Sequence, residues 1–287
     1  LGQWPIHDEE HVVIKDFANW KEYVKAPKAD YSEADWDVFR EDYRNFDRSK
    51  ALLATFYNPG LLEMTHHLGS IDEALMACLS DTDEMVELVK YIKEFELKQA
   101  EGICANLKPD VIFHHDDWGS ESNSFLSPAL FDEIFLEPYK EIYTYYKEHG
   151  VKYVFHHSDS YAANIVPEMI EMGIDVWQGP MASNNVPELV KKYGDKITFM
   201  GNIDNKFIDF DGWTPEDVKK AAYDATIGAD LGPEHYIPCI TQGGPGSTYS
   251  GTYLELCHQI DLINSEKFGF SVEEIENARL PLQVIFG

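Results

Sequence analysis

Short apolar runs alternate with long amphipathic stretches along the chain. The runs are 51–57, 110–114, 151–156, 174–177, 197–200 and 235–240, rich in Val, Ile, Phe and Tyr with little strict alternation. Strands buried on both faces have this look, and parallel strands are the usual case. Between the runs the spacing is helical. Met85, Val86, Leu88, Val89, Ile92, Phe95, Leu97 and Ile103 mark a helix over 82–107, entered at Asp81 or Thr82. Ser127 and Pro128 open a helix over 128–149 that stops at Gly150. Further helices are predicted over 161–172 before Gly173 and over 186–193 before Gly194. Thr214 caps a helix over 215–227, with Glu216 and Asp217 in its first turn, and Ser271 caps a short last one.

Repeating strand–helix units of ~25–40 residues predict one parallel sheet with right-handed crossovers. The fold class is read as α/β, a (β/α)8 TIM barrel, for which ~250 residues is typical. No linker or low-complexity tract divides the chain, so 1–287 is read as a single barrel domain. Six strands are visible where the barrel has eight. The rest are expected in the weakly patterned residues 1–50, an N-terminal extension or partial first units, or before Leu1, or among runs too weak to recognise. The chain opens at Leu1 without Met, which suggests a missing natural N-terminal segment. A doubly wound open sheet is the alternative, but no Gly-x-Gly-x-x-Gly follows an early strand.

Composition narrows the function classes. The 44% hydrophobic content excludes disorder as the main state. Against 51 Asp and Glu there are 23 Lys and Arg, a net charge of −28 that weighs against nucleic acid and anionic membrane surfaces as partners. No apolar run approaches the ~18 residues of a membrane span. Cys78, Cys104, Cys239 and Cys257 are widely spaced without a CxxC pair, which points to a reducing cytoplasm.

Candidate chemistry gathers where the strands end. The first such stretch is His114-His115-Asp116-Asp117-Trp118-Gly119-Ser120-Glu121. The others are His156-His157-Ser158-Asp159-Ser160, Gly201-Asn202-Ile203-Asp204, and Cys239-Ile240-Thr241-Gln242 running into Gly243–Gly246. In a barrel these positions share the C-terminal rim, where substrates bind. Each element has a plainer reading. A His-His pair can be a structural hydrogen-bonding pair, Asp116-Asp117 can cap a turn, and a lone Cys is often core. Together they are a candidate site. Imidazole, carboxylate and thiol bind transition metals and move protons. His157-x-Asp159 places two side chains on one side of an extended segment, and Glu121 and Cys239 complete a plausible zinc set with them.

Over roughly 110–253 the chain resembles the uroporphyrinogen decarboxylase superfamily. The resemblance rests on Asp116-Asp117-Trp118-Gly119, Leu126-Ser127-Pro128, Pro138, His157-Ser158-Asp159, Tyr193-Gly194-Asp195, Gly201-Asn202-Ile203-Asp204 and Cys239, in that order. It implies a (β/α)8 barrel with a cleft at the C-terminal rim. The superfamily contains the decarboxylase and the methyltransferases of corrinoid-dependent methyl transfer. The decarboxylase's basic N-terminal arm is not seen here, where residues 1–27 carry only Lys15, Lys21 and Lys25 as cations. The methyltransferase branch implies zinc, held by a His-x-Cys motif and a later Cys. His157 matches the His and Cys239 the later Cys, while Asp159 stands in place of the first Cys, a harder site suited to an oxygen substrate. Members acting on methoxylated aromatics imply a Glu, Glu, His set, for which Glu121 and the helical Glu137 are the candidates.

The resulting expectation is a zinc-dependent methyltransferase taking a methyl group from a small methoxylated or methylated donor. No Asp-x-His-x-x-Gly cobalamin signature is present, so the corrinoid would arrive on a partner protein. Metal ligands are expected among Glu121, His157, Asp159 and Cys239. Asp117 and Asp204 are expected to orient substrate or carry a proton. Asp116, Trp118, His156, Tyr161, Trp177, Asn202 and Gln242 are expected around the substrate, with Tyr249 as a further aromatic wall. The alternatives are a decarboxylase-like lyase using Asp116 or Asp117, and a ligand-binding barrel without activity.

Overall fold

The six apolar runs are six strands in the computed structural model, which describes residues 10–244 and 246–279. The elements run α1 (Glu33–Tyr43), β1 (Ala54–Tyr57), α2 (Leu61–Leu68), α3 (Ile71–Ser80), α4 (Thr82–Asn106) and β2 (Val111–His115). They continue with α5 (Pro128–Phe131), α6 (Glu137–Glu148), β3 (Tyr153–His157), α7 (Val166–Met172), β4 (Val176–Gln178) and α8 (Val186–Tyr193). Then come β5 (Thr198–Ile203), α9 (Pro215–Ala225), β6 (Tyr236–Ile240), α10 (Thr252–Phe268) and α11 (Val272–Ala278). The chain divides into two compact units. The first holds residues 10–158 and 164–175, the second 159–163 and 176–279.

In the first unit β1 pairs with β2, and β2 with β3, all parallel. The register aligns Phe56, Phe113 and Phe155 in one row, Tyr57, His114 and His156 in the next, and His115 with His157 in the last. Alternation along each strand sends these rows to opposite faces. Thr55, Tyr57, Ile112, His114, Val154 and His156 are buried, whereas Phe56 is 59% exposed and Phe113 and Phe155 are half-buried. The helices cover the buried face. α4 turns Met85, Leu88, Val89, Ile92, Glu96 and Ile103 inward at helical spacing, and it packs against α6.

The helix predicted over 128–149 is interrupted. Ser127 caps α5, as expected, but Asp132–Leu136 widen into a π-turn before α6 resumes. Pro138 has no N–H for the carbonyl of Ile134, and a widened turn accommodates the missing bond. Beyond it Tyr139, Tyr143 and Tyr146 form one fully buried column.

Among the described residues no strand precedes Ala54, so the further strands expected in 1–50 do not appear there. The segment instead forms a 3-10 helix at Phe17–Glu22 and then α1, whose buried Trp36 lies against Gly102 of α4. The helix predicted over 161–172 begins only at Val166, because Pro167 seats best in a first turn. Gly173 closes it with φ of +86°.

In the second unit β4 pairs with β5 and β5 with β6, again parallel. Ile203, Ile208, Val218, Ala222, Ala225, Ile240 and Leu256 form its core. Thr214 and Asp217 make a reciprocal capping box at α9, and Ser271 and Glu274 another at α11. No helix among the described residues is long and apolar enough to cross a membrane.

Candidate metal centre

The C-terminal ends of β2 and β3 place two pairs of histidines side by side, and alternation splits each pair. His114 and His156 point into the helix-covered core. His114 Nε2 lies 2.7 Å from Glu96 Oε1, and both side chains are buried. His156 Nε2 lies 3.1 Å from the carbonyl of Asp116 and so carries the proton. Its Nδ1 then accepts the Tyr143 O–H at 2.8 Å. Burial, with His114 close by, holds His156 well below the usual imidazole range, so it stays neutral. Burial likewise pushes the Tyr143 hydroxyl up and keeps its proton on.

His115 and His157 point the other way. Their rings stack with centroids 4.5 Å apart at 20°. One ring nitrogen of each and a carboxylate oxygen of Asp117 all lie within 4.8 Å of one another. His115 Nδ1 sits 2.9 Å from Glu63 Oε2 of α2, which leaves Nε2 as the lone pair for an ion. Two imidazoles and one carboxylate suit zinc and other first-row divalent metals, and three protein ligands leave a coordination position open. Phe56 and Phe113 stand beside them, 6.0 Å from the His115 and His157 rings respectively.

Asp116 turns inward. Its carboxylate accepts the N–H groups of Leu62 at 2.9 Å and Glu63 at 2.8 Å, thereby capping α2. The Trp118 indole N–H at 3.3 Å and the Tyr139 O–H donate to it as well. Burial raises this carboxyl well above the usual range and the Glu63 charge adds to that, against the pull of the N–H donors. Trp118 stacks on His156 at 3.8 Å, and its backbone N–H reaches Ser158 Oγ at 3.1 Å.

The sequence-predicted residues are therefore distributed as follows. His157 and Asp117 come together with His115, a residue not expected among the ligands. Asp116, Trp118 and His156 are buried in the packing behind this triangle. Glu121 is exposed on the loop beyond and is not part of the triangle. Asp159, Tyr161, Trp177, Asn202, Asp204, Cys239 and Gln242 belong to the second unit.

Within that unit, Asn202 and Asp204 line a cavity of about 440 Å³ together with Ala182, Phe207 and Lys220. Asn202 has φ of +69°, and its amide reaches the carbonyl of Ala225 at 3.3 Å. Asp204 accepts the N–H of Ala182 at 2.9 Å. The backbone of Gln242 exchanges hydrogen bonds with the Asn205 side chain, and buried Trp177 packs against Phe199. Cys239 lies against the core of α9 and α10, and burial pushes its thiol up to about 12. The loop 243–246 includes Pro245, which lies outside the described residues.

Two residues escaped the sequence reading. His115 carried a signal, since it and His157 end consecutive strands as second members of matching doublets. Glu63 carried none, because only the tertiary fold brings α2 to the end of β2.

A model of the uroporphyrinogen decarboxylase family matches residues 65–243, more than half of the chain. Comparison with curated proteins finds no match. Among solved structures the chain is similar to a methyltransferase from Methanosarcina mazei, with a TM-score of 0.61 and 15% identity. The match covers 80% of this chain and 63% of that one. The likeness shows a shared fold, an α/β arrangement of parallel strands and helices of the barrel class expected from the sequence.

Proposed function

The chain belongs to the uroporphyrinogen decarboxylase family, and from that premise we propose that it is a zinc-dependent methyltransferase. The donor is a small methoxylated or methylated organic compound, and the acceptor is a corrinoid carried on a separate protein. The observation that carries this reading is the triangle of His115, Asp117 and His157 at the ends of adjacent strands.

The residues fit the metal. Both imidazoles are positioned by strand register, and Glu63 occupies Nδ1 of His115 so that Nε2 is presented. Asp117 is half-buried, and its charge offsets that of the ion. Zinc held there by His115, Asp117 and His157 would supply a Lewis acid for the heteroatom of the donor and so favour its departure as alkoxide or phenoxide. The row of Phe56, Phe113 and Phe155 gives the organic body of the donor an apolar wall and excludes water from the side it covers. Glu121, expected as a ligand, lies outside the triangle, and the open position is assigned to the donor heteroatom. Asp159 and Cys239 are carried by the second unit, and the three-ligand set is complete without them. Asp117, expected to orient substrate or carry a proton, is here a metal ligand, and Asp204 is carried by the second unit, where it accepts the Ala182 N–H.

A lyase of the kind the family is named for would need a carboxylate turned toward its substrate. Asp116 is committed to the amino end of α2, which weighs against it in that role and leaves Asp117 as the carboxylate such a lyase would use. The test is zinc titration of metal-stripped protein followed by assay with a reduced corrinoid protein and a methoxylated donor. About one zinc per chain, and turnover only when corrinoid and donor are both present, are expected. Porphyrinogen decarboxylation without corrinoid would replace this reading with the lyase.

A further inference from the structure

The helix α2 and the end of β2 are tied together by bonds running in both directions. From β2's side, Asp116 accepts the N–H groups of Leu62 and Glu63, and the His115 carbonyl accepts the Gly60 N–H at 2.8 Å. From the helix side, Glu63 reaches back to Nδ1 of His115 at 2.9 Å. Glu63 is 2% exposed, so its carboxylate has little freedom to turn toward solvent. The approach is so close that a Cβ on Gly60 would lie 2.6 Å from Asp116 Cβ and 2.6 Å from His114 Cε1.

We infer that Glu63 is the positioning residue of the metal centre, holding His115 in the tautomer and ring orientation that present Nε2 to the ion. The inference rests on the metal-binding reading of His115, Asp117 and His157. A carboxylate accepting the distal N–H of an imidazole ligand fixes its tautomer and raises its basicity, and loss of such a partner typically costs about 10–100-fold in metal affinity. A buried carboxylate facing an imidazole also finds there the hydrogen bond that burial requires. Glu63 acts on one ligand of the three, so its removal weakens the site while His157 and Asp117 still hold it. The helix thereby couples the placement of α2 to the metal centre, because the same first turn carries both Glu63 and the amides that Asp116 fixes.

The experiment measures zinc affinity by chelator competition, with no activity assay, for the whole chain and for Glu63→Gln, Glu63→Ala and His157→Ala. Cobalt(II) replaces zinc in a parallel series to read the ligand field from its visible spectrum. Thermal unfolding of the metal-free proteins supplies the structural control. Glu63→Ala is expected to lose about 10–100-fold in affinity and to shift the cobalt spectrum. Glu63→Gln, which keeps an acceptor but not the charge, is expected to fall between it and the parent, and His157→Ala to lose more than either. If Glu63→Ala does not fold, Glu63→Gln against the parent decides the matter. Glu63 variants that bind both metals as the parent does, with the same spectrum, overturn this inference and leave the metal centre standing. A parent chain that binds neither metal overturns both.

Discussion

His115 and His157 are register partners on adjacent parallel strands, and their rings stack 4.5 Å apart at 20°. One ring nitrogen of each lies within 4.8 Å of the other and of an Asp117 carboxylate oxygen, so strand pairing itself sets the spacing of two candidate metal ligands. Loops would set it less precisely.

Zinc is accordingly expected to stabilise the protein. Free zinc at 100 times its dissociation constant adds about 2.7 kcal/mol to a native state that alone binds it. His115→Ala and Asp117→Ala should each abolish most of the zinc-induced rise in unfolding temperature measured by calorimetry. An undiminished rise in either variant would remove that residue from the ligand set.

Gly60→Ala tests the close approach of α2 to β2. The new methyl meets the Asp116 Cβ and the His114 ring, and both residues are fixed in buried hydrogen bonds. Urea unfolding should show a loss of about 1–3 kcal/mol, the usual range for overpacking. Unchanged stability would mean that the α2 amino end can move away without cost.

Asp110 gives the protein a dependence on acid. Burial disfavours its charge, but the Leu53 N–H, Lys152 and Arg48 outweigh that and hold its pKa at about 2. The oxygens lie 3.0 Å from Leu53 N, 2.9 Å from Lys152 Nζ and 2.7 Å from Arg48 Nη2. A folded value below the unfolded one, ~3.9, means the stabilisation is present above pH ~4 and is lost as pH falls toward ~2. Both cations are well exposed, so solvent screening limits it to about 1–2 kcal/mol. Asp110→Asn should lower stability at pH 7 and flatten its dependence between pH ~4 and ~2, as read by denaturant titration at each pH.

Cys239 should behave as a thiol. With its pKa pushed to about 12, iodoacetamide at pH 8 should modify it slowly, followed by mass spectrometry of the peptide. Rapid modification would show an ionised sulfur.

Strand positions were legible because the runs are apolar on both faces, whether a face is buried, as at Val154 of β3, or half-buried, as at Phe155. Helix starts were legible where a cap is chemical, as at Ser127, Thr214 and Ser271. The π-turn was not, because Pro138 at helical spacing looks like an ordinary helix interior or a break. His157 and Asp117 were legible from their place at strand ends. The assignment of His156 to substrate missed the consequence of alternation, which turns it toward Tyr143. Glu63 stands 52 positions from His115, and no spacing rule links an acidic residue in a helix's first turn to a strand that follows two helices later.

The two histidine doublets are, for anyone tracing this chain's descent, two inherited characters rather than one. The inward members, His114 and His156, answer to Glu96 and Tyr143 and so to the helices that cover the sheet. The outward members, His115 and His157, answer to the proposed metal. Selection can act on each pair without touching the other. A descendant that abandoned metal chemistry could shed the outward pair and keep its sheet intact. One that replaced the inward pair would have to refit two helices, even if its chemistry never changed.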